Sequence, residues 1–334
     1  MLVVELARYS AALVIPLFLL GAHFHQGADI PFTNALYSFS LCVIFALTIL
    51  FTGFRSLPLG VGLVASIFLI WLSLGLFGNW YQARHEVLAL AAAGAVAATG
   101  YLIGTHSGGL RLAWSALIWS LILFTLMAAY LHFTGTTEGG RFSRRLSGGF
   151  GSPNTAATLF GLAVLLAASK LTMRFQDSRL SRLSRADRIN YLAQKEYASL
   201  TLFILASLCL ILTISRAGIA IGFMCLLGLM IFELARISRR GRLRFLRRPA
   251  FQLPVGSLVI VLMFLVVTGE INPHRSESLL ENADGRTDLF SIYWTIWLED
   301  PWFGHGLGSF NTLNDARATL DTAPAMVSIG AVHN

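Results

Sequence analysis

The chain has 334 residues, of which 55% are hydrophobic and 13% are charged, and its mean hydropathy is +0.67. A soluble globular domain carries about 25% charged residues, so this composition excludes that class and predicts a polytopic membrane protein. The net charge of +8 does not indicate a nucleic acid partner, because most basic residues fall in two loops where membrane topology explains them.

Apolar segments long enough to cross a bilayer recur along the first 269 residues. Such a helix needs about 20 mainly apolar residues and must satisfy its own backbone hydrogen bonds, so the predicted fold class is all-α. Residues 270–334 are mainly polar and form a predicted catalytic loop. The nine windows of the predicted transmembrane bundle 1–269 are 9–25, 33–52, 57–78, 86–104, 112–133, 154–171, 198–214, 217–235 and 252–269.

The distribution of Lys and Arg predicts the orientation of the bundle. With the N-terminus in the cytoplasm, 17 of the 25 basic residues lie on the cytoplasmic side, where the positive-inside rule retains them. The basic loops 170–197 and 236–248 are then topology anchors near anionic membrane lipid. The loops 134–153, 214–218 and 270–334 face outside. Their arginines indicate an anionic ligand on that face, or they serve only solubility.

The outside loop 134–153 combines many glycines with Arg141, Arg144 and Arg145. Guanidinium forks bind phosphate well, and glycines allow close approach of the backbone to a ligand. The sequence Ser152-Pro153-Asn154 predicts a helix start, whose N-terminus suits anions. We therefore expect the three arginines and Asn154 to bind substrate. The alternative is a flexible loop followed by an ordinary helix start.

The stretch 198–235 is too long for one crossing helix. It is interrupted at 215–218, which predicts a helical hairpin with Arg216 at its tip. Arg216 lies between Ile214 and Ile219, at or just below the membrane surface. Its side chain either reaches the headgroups or binds a diphosphate there. Because a charge at this depth is costly, the interpretation as a diphosphate-binding residue is favoured.

The polar segment after residue 269 offers one candidate base and two structural features. A neutral imidazole at His333 can accept a proton from a sugar hydroxyl. The aromatic run 289–298 predicts an amphipathic helix whose tryptophans lie at headgroups. The glycines in 304–308 predict a tight turn. The near absence of ionisable residues in the spans argues against a proton-coupled transporter, and no Asp-rich or cysteine-based metal site is visible.

In their order and predicted outside placement, these motifs resemble the O-antigen ligase and polymerase superfamily over about 134–334. The residues that carry the resemblance are the arginine-rich glycine loop with Ser152-Pro153-Asn154, Ser215-Arg216-Ala217-Gly218, Gly285-Arg286, Trp294, Pro301, Gly304-x-Gly306-x-Gly308-x-Phe310 and His333-Asn334.

The resemblance implies a multi-pass glycosyltransferase of the bacterial inner membrane that needs no metal or other cofactor. It would move a glycan from undecaprenyl diphosphate to a glycolipid or polysaccharide acceptor at the periplasmic face. Arg216 and Arg286 would bind the diphosphate leaving group, and His333 would activate the acceptor hydroxyl. In this family the histidine motif continues past His-Asn, so the end at Asn334 predicts a truncated loop and puts the activity of the 334-residue form in question.

Assignments of three classes stay open: a transferase, a transporter or flippase, and a structural membrane subunit, in which both arginines could be replaced without loss. The His-Asn ending favours a ligase that uses lipid A-core as acceptor. A polysaccharide polymerase or a protein O-oligosaccharyltransferase would use the same scaffold with another acceptor. From a different class, a transporter or flippase of lipid-linked sugars would bind the diphosphate without catalysis.

Overall fold

A computed structural model describes residues 2–24, 31–52, 80–134, 145–150, 152–175, 194–238 and 290–318 without 303, 307 and 308, together with 184, 187, 190 and 191. All regular secondary structure in these ranges is helical, which confirms the all-α prediction. The spans predicted at 57–78 and 252–269 lie outside the described residues.

The helices follow the apolar windows of the sequence closely. Four of the described helices, α2 to α5, are long and apolar enough to cross a membrane, so the chain is a multi-pass membrane protein; α6 and the apolar part of α7 are shorter. The total of nine spans remains a prediction. The helices are α1 (Leu2–Phe24), α2 (Pro31–Thr52), α3 (Trp80–Gly104), α4 (Ser107–Thr134), α5 (Pro153–Phe175), α6 (Tyr197–Leu212), α7 (Arg216–Ser238), α8 (290–299) and α9 (Phe310–Arg317).

The chain divides into two compact units, one formed by Met1–Ala11, Pro31–Gly109 and Gly269–Asn334, the other by Ala12–Ile30 and Leu110–Thr268. The predicted domain boundary at residue 269 stays a prediction.

In the first unit, α2 packs along α3. His106, in the turn after α3, contacts the first turns of α1: its Nε2 lies 3.7 Å from Glu5 Oε1, and its ring meets the Tyr9 ring edge-on.

The second unit is organised around α5, which lies between α6 and α7. Its buried positions are mostly small: Ala156, Ala157 and Ala167 are completely buried. Helices in lipid associate through close van der Waals packing, which small residues permit. Two apolar clusters follow from this packing, one around Phe124 and Phe160, the other around Leu202.

The end of α5 and the start of α6 are joined by an ion pair. Arg174 Nε donates to Glu196 Oε1 at 2.6 Å, and Ser199 Oγ donates to Glu196 Oε2 at 3.3 Å. Glu196 is 5% exposed, so its charge is stable there only with these partners. Arg174, predicted as a topology anchor, therefore also fixes α6 antiparallel to α5.

Candidate functional site

The predicted hairpin is confirmed by α6 and α7, which are joined by Thr213, Ile214 and Ser215. Thr213 Oγ1 donates to Leu210 O at 2.7 Å and accepts a hydrogen bond from Ser215 N at 3.3 Å. Ile214 has a φ of 50°, a left-handed conformation that is unusual and strained for a β-branched residue. Such strain persists only where the surroundings fix it, and here both neighbours are buried.

Ser215 caps the start of α7 and joins it to α5. Its Oγ accepts a hydrogen bond from Gly218 N at 3.2 Å and donates to Asn154 Oδ1 at 2.9 Å. The first of these bonds satisfies a backbone donor that the first helical turn leaves unpaired. Arg216 is the first residue of α7, so the capped helix start fixes the backbone position from which its side chain projects.

The start of α5 has a similar cap in Ser152, whose Oγ accepts from Asn154 N at 3.2 Å. Pro153 occupies the first helical position, where its missing N–H costs nothing. Asn154 is exposed, and its Oδ1 accepts from both Ser215 Oγ at 2.9 Å and Arg145 Nη2 at 3.3 Å. One carboxamide oxygen therefore connects the segment 145–150, α5 and the cap of α7.

Arg145 and Leu146 attach the segment 145–150 to the end of α6. Arg145 Nε donates to Thr213 O at 3.0 Å, and Leu146 N donates to Leu212 O at 3.0 Å. These bonds satisfy two carbonyls at the helix terminus. Leu146 is completely buried in the core of this unit. The stretch 145–150 is therefore packed and does not fit the alternative of a flexible loop.

The helices α5 and α7 run parallel, and small residues bring their N-termini close together. A Cβ added to Gly218 would overlap Ala157 Cβ, and one added to Gly161 would lie 3.9 Å from Gly222 Cα. Each helix thus contributes two small residues four positions apart, a pattern that permits close helix approach in membranes. Both N-termini carry partial positive charge, and this pairing adds their effects at one place.

An apolar groove lies between α5, α6 and α7. Its cavity has a volume of about 200 Å³, and Ser207 supplies the polar side chain of an otherwise apolar lining. The lining begins at Ile211 and Ile219, close to the turn between α6 and α7, and extends to Leu226. The positively polarised helix starts and an apolar groove therefore lie next to one another in this unit.

The structure brings together Arg145, Asn154 and the start of the helix that carries Arg216. The other predicted site residues, Arg141, Arg144, Arg286 and His333, lie outside the described residues, and all the predicted roles remain predictions.

The prediction gave no role to Thr213 or to the contact between Ala157 and Gly218. The spacing of Ala157 and Gly161, and of Gly218 and Gly222, was a signal that could have indicated this helix pair.

Comparison with known families agrees with the predicted resemblance. Residues 201–334 match the family model described as O-antigen ligase, which supports the predicted resemblance over this part of the chain. The matched segment begins in α6 and includes the turn at Ser215, all of α7, and the helices α8 and α9. Searches of curated proteins and of solved structures give no match.

Proposed function

We propose that this chain, whose residues 201–334 match the O-antigen ligase family model, belongs to that superfamily and moves a glycan from undecaprenyl diphosphate to an acceptor hydroxyl. The family match implies a membrane glycosyltransferase of the ligase or polymerase type. One observation carries the donor assignment: Asn154 Oδ1 joins Arg145 to Ser215, which caps the helix that begins with Arg216. Paired helix N-termini beside two arginines suit a diphosphate.

In the proposed reaction, the acceptor oxygen attacks the anomeric carbon of the donor glycan. The bond from that carbon to the diphosphate oxygen breaks, and its electron pair remains on the diphosphate. Arg216 and Arg286 stabilise the charge on this leaving group, as preorganised donors do in polar sites. His333 accepts the proton of the acceptor hydroxyl. Neither a metal ion nor another cofactor has a role in this scheme.

Contacts around the candidate site support a lipid-linked donor. Arg145 is held by Thr213 O and Asn154 Oδ1, which keeps its charge beside the start of α7. Arg141 and Arg144, from the same loop, are proposed to contact the donor phosphates or the first sugar. The groove between α5, α6 and α7 is apolar, so it suits an isoprenoid chain better than a sugar.

The proposed location is the bacterial inner membrane, with the N-terminus in the cytoplasm. In this orientation the starts of α5 and α7 lie at the periplasmic face, and residues 270–334 form a periplasmic loop. A ligase that uses lipid A-core as acceptor is the preferred subtype. A polymerase and a protein O-oligosaccharyltransferase differ from it only in the acceptor, whereas a flippase would bind the same donor without transfer.

The test uses a strain that lacks the gene, complemented with the full-length wild type or with single variants. Surface polysaccharide is resolved on a gel, and undecaprenyl-linked glycan is quantified in parallel. We expect strains that carry Arg216→Ala or Arg216→Lys to lose the surface polymer and accumulate the lipid-linked precursor. Lysine keeps the positive charge, but a point charge does not replace the guanidinium fork. The control is Arg84→Ala, which removes an exposed arginine in α3 and should behave as wild type.

The band pattern separates the subtypes. Loss of all polymer from lipid A-core, with long glycans kept on undecaprenyl diphosphate, identifies a ligase. A band with one repeat unit on lipid A-core identifies a polymerase. If Arg216→Ala is made at the wild-type level and leaves both polymer and precursor unchanged, the transferase proposal is wrong.

A further inference from the structure

The segment 290–318 contains a pair of packed helices, α8 and α9, with a defined internal geometry. The Tyr293 and Phe310 rings lie 5.5 Å apart, and Tyr293 Oη donates to Asn314 Oδ1 at 2.7 Å. Asn314 is 3% exposed. Burial raises the pKa of the Tyr293 phenol above its ordinary value, which keeps the donor protonated. These contacts fix which side of α8 faces α9.

Two further polar contacts join α8 to the end of α9 and to the turn between the helices. Arg317 Nη2 donates to Glu299 Oε2 at 2.7 Å, and His305 Nε2 lies 3.0 Å from Ile296 O. Gly304 and Gly306 have positive φ angles of 64° and 95°, so the predicted tight turn is confirmed. The orientation of α8 around its own axis is therefore set by contacts at both of its ends.

Beside the side of α8 on which Tyr293 contacts α9, a row of large apolar side chains is exposed. Phe290 is 65% exposed, and Trp294 and Trp297 are 48% and 47% exposed. Their rings are in contact, with centroids 5.9 Å apart for Phe290 and Trp294 and 4.8 Å for Trp294 and Trp297. Together with Leu298, which is also exposed, they form a continuous aromatic stripe.

The polar residues of α8 occupy a separate side of the helix. At 3.6 residues per turn, the four stripe residues fall within an arc of roughly 100°. Ser291, Thr295 and Glu299 follow on the next arc, and these three residues are exposed. An apolar arc beside a polar arc is the pattern of a helix that lies in the plane of a membrane interface.

A lipid surface suits this stripe better than water or a protein groove. A contiguous exposed aromatic surface of this kind is unusual in water. Tryptophan is enriched at membrane interfaces, where its ring is in apolar surroundings and its N–H reaches polar groups. Trp302, in the turn after α8, is 84% exposed and adds a third indole. The stripe carries no charged side chain, and the same chain contains membrane-crossing helices.

We infer that α8 lies in the headgroup region of the bilayer, with Phe290, Trp294, Trp297 and Leu298 inserted between acyl chains and Ser291, Thr295 and Glu299 in contact with water. The helix pair α8 and α9 is thereby held flat on the membrane surface. This attachment does not depend on the reaction that the protein catalyses, because it uses only the stripe and the lipid.

The test places a nitroxide spin label at two positions of α8 in the full-length protein, reconstituted in phosphatidylcholine and phosphatidylglycerol vesicles. Trp294→Cys carries the label on the stripe, and Thr295→Cys carries it on the adjacent polar arc as the matched control. The native cysteines, Cys42, Cys209 and Cys225, are first replaced by alanine. Power saturation then measures collisions of each label with oxygen, which concentrates in lipid, and with a water-soluble nickel chelate.

We expect the label at 294 to have an oxygen-to-nickel collision ratio several-fold higher than the label at 295. Equal and high nickel accessibility at both positions in vesicles would overturn the inference, since the stripe would then face water. Low accessibility of position 294 to both reagents would also overturn it, because another protein surface would then cover the stripe.

Discussion

Gly218→Ala is the substitution that most directly perturbs the contact between α5 and α7. An added Cβ would overlap Ala157 Cβ and would lie 3.1 Å from Ser215 Oγ. The two helices must separate by roughly 1 Å before the first contact becomes an ordinary one. That movement acts directly on the 2.9 Å hydrogen bond from Ser215 Oγ to Asn154 Oδ1, and it shifts the start of the helix that carries Arg216.

The expected cost in stability is about 1–3 kcal/mol, the usual range for overpacking a close contact. The expected cost in glycan transfer is larger, because misplacing a reacting group by about 1 Å can reduce the rate roughly 100-fold. Stability is measured as the thermal unfolding midpoint of the purified protein in detergent. Transfer is measured as the rate at which labelled glycan moves from undecaprenyl diphosphate to acceptor in proteoliposomes.

Two variants make this prediction specific. Gly228→Ala adds the same methyl group to the same helix where nothing lies within 4 Å, so it should keep wild-type stability and transfer. Ala157→Gly combined with Gly218→Ala removes the atom that the new methyl group meets, and it should restore most of both properties. If Gly218→Ala behaves like Gly228→Ala, or if Ala157→Gly gives no rescue, α5 and α7 are not packed as described.

Two further predictions concern the polar contacts. Asn154→Asp keeps an oxygen acceptor for Arg145 and Ser215, so the unfolding midpoint should stay within a few degrees of wild type. The added negative charge lies beside the proposed diphosphate site and should raise the KM for the donor several-fold. An unchanged KM would contradict the proposed site. Arg174→Ala leaves the buried Glu196 carboxylate without its ionic partner and should lower the free energy of unfolding by about 3–5 kcal/mol. Glu196→Ala leaves a half-exposed arginine that water can solvate, so it should lower the free energy of unfolding by less. The comparison of the two unfolding midpoints checks the second prediction, and equal losses would contradict it.

The helices could be predicted from the sequence because composition and period decide them. Apolar windows of membrane-spanning length predicted α2 to α5, and the interruption at 215–218 predicted the hairpin of α6 and α7. The helix α1 begins at Leu2, ahead of the apolar window at residue 9, because Glu5, Leu6 and Ala7 are good helix formers that extend it toward the N-terminus. A hydropathy window marks the residues that can contact lipid, whereas the helix itself can extend beyond those residues.

The site could be predicted only in part, since its contacts join residues far apart in the chain. Arg145 and Asn154 were predicted separately as substrate-binding residues. Nothing in their local sequence indicates that Arg145 binds the carbonyl of Thr213, 68 residues away, or that Asn154 accepts from Ser215. These pairings depend on how closely α5 and α7 approach, and that approach depends on Gly218, whose four-residue spacing from Gly222 was not used in the prediction.

The aromatic segment illustrates the same limit. The composition of 289–298 predicted an amphipathic helix, and α8 is one. Which side chains point away from the rest of the protein depends on Tyr293 and its contacts with Phe310 and Asn314, and those partners lie beyond the turn. Once that side is fixed, the helical period places Trp297 about 40° and Trp294 about 100° around the helix from Tyr293, on the exposed flank of α8.

The measurement that tests the central claim most directly is equilibrium binding of a short-chain polyprenyl diphosphate to the purified full-length protein. The wild type and Arg84→Ala should bind with the same Kd. Arg216→Ala should bind about 10- to 100-fold more weakly, the loss expected for one hydrogen bond to a charged group. If Arg216→Ala binds the diphosphate as tightly as the wild type, the paired starts of α5 and α7 are not the donor site.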